Sequence, residues 1–323
     1  PGPTYRPFDR KKYTTLFKSG FLFSNQDYTI GINGIYNTLE ELEEKQESFI
    51  FKKYYEKFIF KTEIGHNEFG GKENTIFDLS ACKDDQNYQI GLAIKTIGDQ
   101  TRLLPEAMIT MGKGDVSLSA GIVSDFSFPD LWIKAGDSSY LTMENVFLLP
   151  EEKYRIYSML NFNIADTQIG FNGQVSYEKT SYQWRDMDND NLYEPCMIKD
   201  NIITDYGIDI TKKMGNVYIK AGFNHQIWQK KLSGFPKENG YIRWGFENGK
   251  FNPEIQVEYT GKQNFDARRI GGYTLISALF SYQIHPDMAV FCKFNNIFEN
   301  EYHQAPGYPG RPFEALAGFH IRW

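Results

Sequence analysis

The chain lacks any apolar run of about 18 residues, and its mean hydropathy is −0.50, which excludes crossing a membrane as helices. Cysteine is scarce. Cys82, Cys196 and Cys292 lie far apart without metal-ligand spacing, and an odd count leaves at least one unpaired in a monomer. We read all three as free thiols, with Cys292 facing either lipid or an aqueous interior. A net charge of −6 argues against a nucleic-acid partner. Catalytic signatures are missing too. There is no Gly-x-Ser-x-Gly elbow and no phosphate loop, and Gly112-Lys113-Gly114 reads as a tight turn. His66, His225, His285, His303 and His320 are scattered, so no enzyme is read. The chain starts at Pro1 with neither Met nor a signal peptide, as a processed or partial chain would.

What is present is alternation. Phe313, Ala315, Ala317, Phe319, Ile321 and Trp323 share one face of a segment whose other face carries Glu314, His320 and Arg322. Ile276, Ala278, Phe280, Tyr282 and Ile284 alternate with Ser277, Ser281 and Gln283. Val217, Ile219, Ala221, Phe223 and Ile227 alternate with Lys220, Asn224 and Gln226. Ile169, Phe171, Val175 and Tyr177 do so with Gln168, Asn172, Gln174 and Glu178, and Tyr154, Ile156, Leu160, Phe162 and Ile164 with Arg155, Asn161 and Asn163. A period of two means strands with one apolar and one polar face. A soluble sandwich alternates as well, so three further features decide. The segments run about ten to thirteen residues, suited to a tilted membrane span, where soluble strands average five or six. Aromatics reach 16% of residues, with 21 Tyr and 26 Phe, as interfacial girdles require. Tight turns at 165–167, 212–215, 247–250 and 285–287 alternate with long polar loops at 136–152, 183–200, 230–238, 261–271 and 298–311.

The pattern predicts an all-β fold, a transmembrane antiparallel up-and-down β-barrel of about 16 strands (range about 14–18). Residues 1–12 read as an N-terminal extension and 13–323 as the barrel domain. Residues 49–68 read as one long strand or two elements. Residues 38–48, with Thr38-Leu39-Glu40-Glu41-Leu42-Glu43-Glu44-Lys45, read as a loop holding a short acidic helix.

The C-terminal part carries two more specific signatures. Val290-Phe291-Cys292-Lys293-Phe294-Asn295-Asn296-Ile297-Phe298-Glu299-Asn300-Glu301-Tyr302 precedes Gly307-Tyr308-Pro309-Gly310-Arg311 and a last strand closing on Trp323. Phe126-Ser127-Phe128-Pro129-Asp130-Leu131-Trp132 is followed by Leu148-Leu149-Pro150-Glu151. In these motifs, their order and their separation, residues 100–323 resemble TonB-dependent outer-membrane receptors, and the cobalamin-receptor branch most. The resemblance implies a transport barrel in the bacterial outer membrane. It implies a small nutrient ligand (siderophore or corrinoid) and an energising inner-membrane complex as partners. Such receptors have 22-stranded barrels preceded by a plug of over a hundred residues. Nothing here resembles the plug, and Tyr13 aligns near their seventh strand. Two explanations stand, a piece of a normal receptor or a reduced plugless barrel, and we lean to the second. Three functions follow: ligand import, passive porin-like diffusion, and service as a barrel subunit docked to other envelope proteins.

The loop 183–200 holds Asp186, Asp188 and Asp190. Carboxylates at this spacing either converge on calcium or form a solvated acidic loop. It is not an EF-hand, since Asn191 replaces the glycine and Met197 the final glutamate. Unchanged calcium affinity after Asp188→Ala selects the solvated loop. Tyr140, Phe147, Trp184, Tyr193, Phe235, Phe265, Tyr302 and Tyr308 either grip a planar ligand or pack the loops together. Lys220, Arg155, Lys293, Glu178 and Arg322 are expected to line the interior.

Overall fold

The computed structural model describes residues 14–39, 42–69, 72–85, 87–127, 150–185, 194–247, 249–265, 268–306 and 308–321. Among them there is no helix. The strands are β1 (Thr14–Ser24), β2 (Tyr28–Leu39), β3 (Leu42–Tyr55), β4 (Phe58–Phe69), β5 (Lys72–Asp84), β6 (Tyr88–Ile97) and β7 (Gln100–Lys113). Next come β8 (Val116–Ser127), β9 (Glu151–Ile164), β10 (Thr167–Arg185), β11 (Glu194–Met214), β12 (Val217–Trp228), β13 (Glu238–Phe246) and β14 (Phe251–Thr260). The last are β15 (Gln263–Phe265), β16 (Arg268–Ile270), β17 (Tyr273–His285), β18 (Met288–Asn295), β19 (His303–Ala305), β20 (Tyr308–Pro309) and β21 (Glu314–Ile321). Among the described residues seventeen strands belong to one sheet, while β15–β16 and β19–β20 are small separate hairpins.

The expected count of sixteen rises by one because 49–68 is two strands, joined at Glu56 and Lys57. Among the described residues of 38–48 the expected helix is not formed; residues 40 and 41 lie outside them. The acidic stretch runs on as β3, whose residues from Leu42 pair with β2 and from Glu44 with β4. From Glu44 onward the stretch is paired on both sides, and this two-sided pairing overrides a weak helix preference. The turn expected at 212–215 moves to 215–216, because β11 continues through Met214. Loops 261–271 and 298–311 contain the hairpins β15–β16 and β19–β20 rather than unstructured chain.

By contacts the chain divides into two compact units. The first comprises 1–107, 123–152 and 192–195; the second comprises 108–122, 153–191 and 196–323. In the first, β1 to β6 pair antiparallel in chain order. One row across this ladder reads Phe21, Ile32, Phe49, Ile64, Phe77. The row one residue away, on the opposite face, reads Gly20, Asn33, Ser48, Gly65, Ile76, Ile97. Ile76 and Ile97 pack there with Leu104 and Phe126, which is 1% exposed.

In the second unit β11, β12, β13, β14, β17, β18 and β21 pair in that order. The row Ile210, Ala221, Ile242, Val257, Ile276 is apolar. Its neighbour, Thr211, Lys220, Arg243, Gln256, Ser277, is polar. A one-residue step exchanges the faces, as a period of two demands.

Exposure is inverted relative to a water-soluble fold. Phe21 is 65% and Phe319 72% exposed, whereas Asn67, Asn201, Asp205, Gln183 and Ser176 are buried. A large apolar side chain left in water forgoes roughly 1.5–3 kcal/mol of burial free energy, so a face built this way requires an apolar solvent. Aromatic pairs mark its margins: Phe23–Tyr28, Phe58–Phe60 and Phe251–Phe280 near one set of strand ends, Tyr154–Tyr177 near the other. On β14 the apolar face runs from Phe251 to Tyr259. That is about 26 Å at roughly 3.3 Å per residue, and somewhat less along the membrane normal once the strand tilts.

Candidate functional site

The polar face of the second unit is the surface richest in chemistry. It starts from a repeated sequence. Tyr218-Ile219-Lys220-Ala221-Gly222 on β12 and Tyr241-Ile242-Arg243-Trp244-Gly245 on β13 have one pattern, Tyr-Ile-cation-x-Gly. Antiparallel register sets Tyr218 opposite Gly245 and Gly222 opposite Tyr241, with Lys220 facing Arg243 between them. Each tyrosine lies over the other strand's glycine and reaches a carboxylate beyond it. The Tyr218 hydroxyl donates to Glu254 on β14. The Tyr241 hydroxyl donates to Asp209 on β11 at 3.2 Å.

The charges interlock around this pair. Arg243 donates Nε–H to Gln256 at 3.1 Å and lies 3.3 Å from Glu254. Gln256 donates in turn to Glu258 at 2.5 Å. Asn172 donates to Asp209 at 3.2 Å. Asp205, buried, accepts from Asn224 at 3.1 Å and Gln226 at 2.8 Å. Lys220 sits 5.1 Å from the Tyr218 ring centroid. Facing cations cost a few tenths of a kcal/mol or more, and here the Glu254 carboxylate and the two ring faces offset that cost. The result is a wall of alternating donors, acceptors and charges.

In the first unit the polar face holds Lys61 between Glu63 (2.7 Å) and Asp78 (3.2 Å). Arg102 pairs with Glu152 at 2.6 Å and lies over the Phe126 ring. Outside the strands, Lys57 in the β3–β4 turn meets Asp85 at 2.5 Å, and that hydrogen bond and charge hold its ammonium above the ordinary lysine pKa.

Several expected positions are now placed. Lys220 is on the polar face, Glu178 pairs there with Lys153 at 3.8 Å, and Lys293 stands between Leu279 and Leu316 on that face. Arg155 is exposed on β9. Arg322 lies outside the described residues, as do Asp186, Asp188 and Asp190. Among the described residues no group of three or more His, Cys, Asp or Glu side chains could hold a metal. Cys82, Cys196 and Cys292 are free, and Cys292 is exposed on the apolar face between Phe280 and Ala317. Of the loop aromatics, Phe265 is buried, and the Tyr302 ring meets that of Tyr273 at 4.5 Å in a tilted pair and covers Gly310. These two pack loops together. Tyr140, Phe147 and Tyr193 lie outside the described residues. The carboxylates Asp205, Asp209 and Glu254 were not singled out from sequence. The repeated Tyr-Ile-cation-x-Gly is the signal that could have found the pair of tyrosines and hence two of the carboxylates.

No protein-family model matches the chain, and no curated protein matches it. Solved structures do. A ferric enterobactin receptor (PfeA) from Pseudomonas aeruginosa superposes with a TM-score of 0.68 at 9% identity, over 96% of this chain and 61% of that one. The siderophore receptor PirA from Acinetobacter baumannii gives 0.66 at 10% identity, over 95% and 62%. The copper transporter OprC gives 0.65 at 11%, over 96% and 65%. The chain thus spans between three fifths and two thirds of the length of these proteins, and it has the outer-membrane β-barrel fold that they share.

Proposed function

We propose that this chain forms barrel strands of a bacterial outer-membrane receptor of the TonB-dependent kind, importing a small metal-chelate or corrinoid-type nutrient. The apolar rows face lipid. The polar rows, with the Tyr218–Glu254 and Tyr241–Asp209 pairs, face the interior. The observation that carries this reading is the inverted sheet: bulky apolar residues exposed on one face, carboxylates, amides and cations sequestered on the other. The resemblance of residues 290–311 to receptor C-termini narrows it from membrane barrel to receptor. The three neighbours above are named for siderophores and copper, so a corrinoid cargo rests on the motif resemblance alone.

The wall performs no covalent chemistry in this reading. Its alternating charges let an occupant of the interior exchange hydrogen bonds with water for hydrogen bonds with the wall at little net cost. Energy for inward movement comes from an inner-membrane complex.

The test is uptake. Deletion of the gene should abolish uptake of a radiolabelled ferric siderophore or of cobalamin under nutrient limitation, and a protonophore should abolish it equally in the parent strain. Uptake that persists under the protonophore, with a steady ohmic conductance from the purified protein in a planar bilayer, would replace this reading by passive diffusion. Loss of neither uptake, together with a stably co-purifying envelope protein, would replace it by a docking role.

A further inference from the structure

The apolar face of the second unit is not uniformly covered. Four rows can be followed across β11 to β14. Lys212, Ile219, Trp244 and Ile255 form one; Ile210, Ala221, Ile242 and Val257 the next; Ile208, Phe223, Gly240 and Tyr259 the third; Tyr206, His225 and Glu238 the fourth. The two middle rows are wholly apolar, the first is apolar except for Lys212 at its β11 end, and the fourth is polar. Gly240 and Ala221 are the two positions without bulk. They lie on adjacent strands in adjacent rows, so a depression of about 340 Å³ opens over them, walled by Ile208, Phe223, Ile242 and Tyr259. Its lining is almost wholly hydrocarbon and ring surface.

We propose that this depression is a lipid site: it holds one acyl chain of a glycerophospholipid, whose headgroup lies at the Tyr206–His225–Glu238 row. The inference rests on the reading that this face meets lipid. Three observations carry it further than general contact with a bilayer. The surrounding face is continuous with the apolar rows, so hydrocarbon is the only solvent available to fill the recess. Leaving it unfilled would forfeit dispersion contacts along its whole lining. And the recess meets a wholly polar row at one end, while the row at its other end is apolar apart from Lys212 on β11. There the Tyr206 and His225 rings lie 5.2 Å apart, and His225 Nδ1 is 3.4 Å from Glu238. Together they present a hydroxyl, an imidazole and a carboxylate to a headgroup bearing both phosphate and ammonium. A chain seated between Phe223 and Tyr259 is held by shape, whereas neighbouring lipids slide over projecting Ile, Trp and Phe side chains.

The experiment is native mass spectrometry of the purified protein after incubation with palmitoyl-oleoyl phosphatidylethanolamine. The native chain should keep one lipid under activation that strips the rest. Ala221→Leu fills the recess and should lower the retained fraction about tenfold, and Phe223→Ala removes a wall and should lower it comparably. Ala317→Leu, on the apolar face of β21, should leave it unchanged. Retention unaltered in both recess variants, or lowered equally by Ala317→Leu, overturns the proposal. A companion measurement separates this from failure of the membrane reading. Ala221→Cys reconstituted in phosphatidylethanolamine vesicles should resist a water-soluble maleimide. If it resists while retention ignores the recess variants, only the lipid site falls; if it reacts freely, both fall.

Discussion

The ring of Tyr218 lies against the α-carbon of Gly245, so close that a Cβ at 245 would stand 2.3 Å from its Cζ. The glycine is thus the gap through which the tyrosine crosses β13 to reach Glu254. A glycine inside a strand normally weakens it, and an aromatic laid over it restores the lost packing. Gly245→Ala should displace the ring and break the hydrogen bond, destabilising the fold by about 1–3 kcal/mol. Tyr218→Phe, which keeps the ring, should cost about 1 kcal/mol. Urea unfolding followed by heat-modifiable gel mobility measures both. Equal losses would mean that the hydrogen bond to Glu254 alone, not the seating of the ring over the glycine, carries the effect.

A second prediction concerns the β9–β10 turn. Ala165 has φ 50°, in the left-handed region, while the equivalent position of the β11–β12 turn is Gly215 at 59°. An alanine there carries strain of about 1 kcal/mol that a glycine escapes. Ala165→Gly should therefore stabilise the fold by up to about 1 kcal/mol, seen as a higher urea midpoint. Gly215→Ala should lower the midpoint by a similar amount.

Buried packing on the polar face of the first unit is a third. Phe126 packs with Ile76, Ile97 and Leu104 and carries the Arg102 guanidinium 5.3 Å above its ring. Phe126→Ala should cost about 3–5 kcal/mol. Arg102→Lys should cost less, since the stem remains while the bond to Glu152 is lost.

The fourth is a pH effect. Asp85 raises the Lys57 pKa above its reference value of 10.5. A raised folded value adds stability that is complete below the unfolded pKa and is lost as pH rises through the folded one. As pH rises above the reference 10.5, the native chain should lose slightly more stability than Asp85→Asn. The difference is small because Lys57 is largely exposed, and it should shrink in high salt.

Alternation was legible in the sequence because burial in this fold is local: Ile255 and Gln256 reveal their faces to anyone reading two residues at a time. The strand containing Leu42–Tyr55 was not, because Glu43, Glu44 and Lys45 favour helix or solvent when read alone. Only pairing with β2 and β4 makes them a strand. The hairpins β15–β16 and β19–β20 were hidden in loops because strands of two or three residues are too short to show a periodicity. The carboxylates Asp205, Asp209 and Glu254 were invisible for another reason. Their hydrogen-bond partners are 19 to 37 residues away, and register, which side-chain alternation does not specify, decides who meets whom.

The central claim is that adjacent residues of one strand face different solvents. In a background without Cys82, Cys196 and Cys292, Ile255→Cys and Gln256→Cys should be reconstituted separately in liposomes and treated with a charged, water-soluble thiol reagent. The account predicts rapid labelling at 256 and none at 255, with 255 instead quenched by brominated lipid when it carries a fluorophore. Equal labelling of both positions by the aqueous reagent would contradict it.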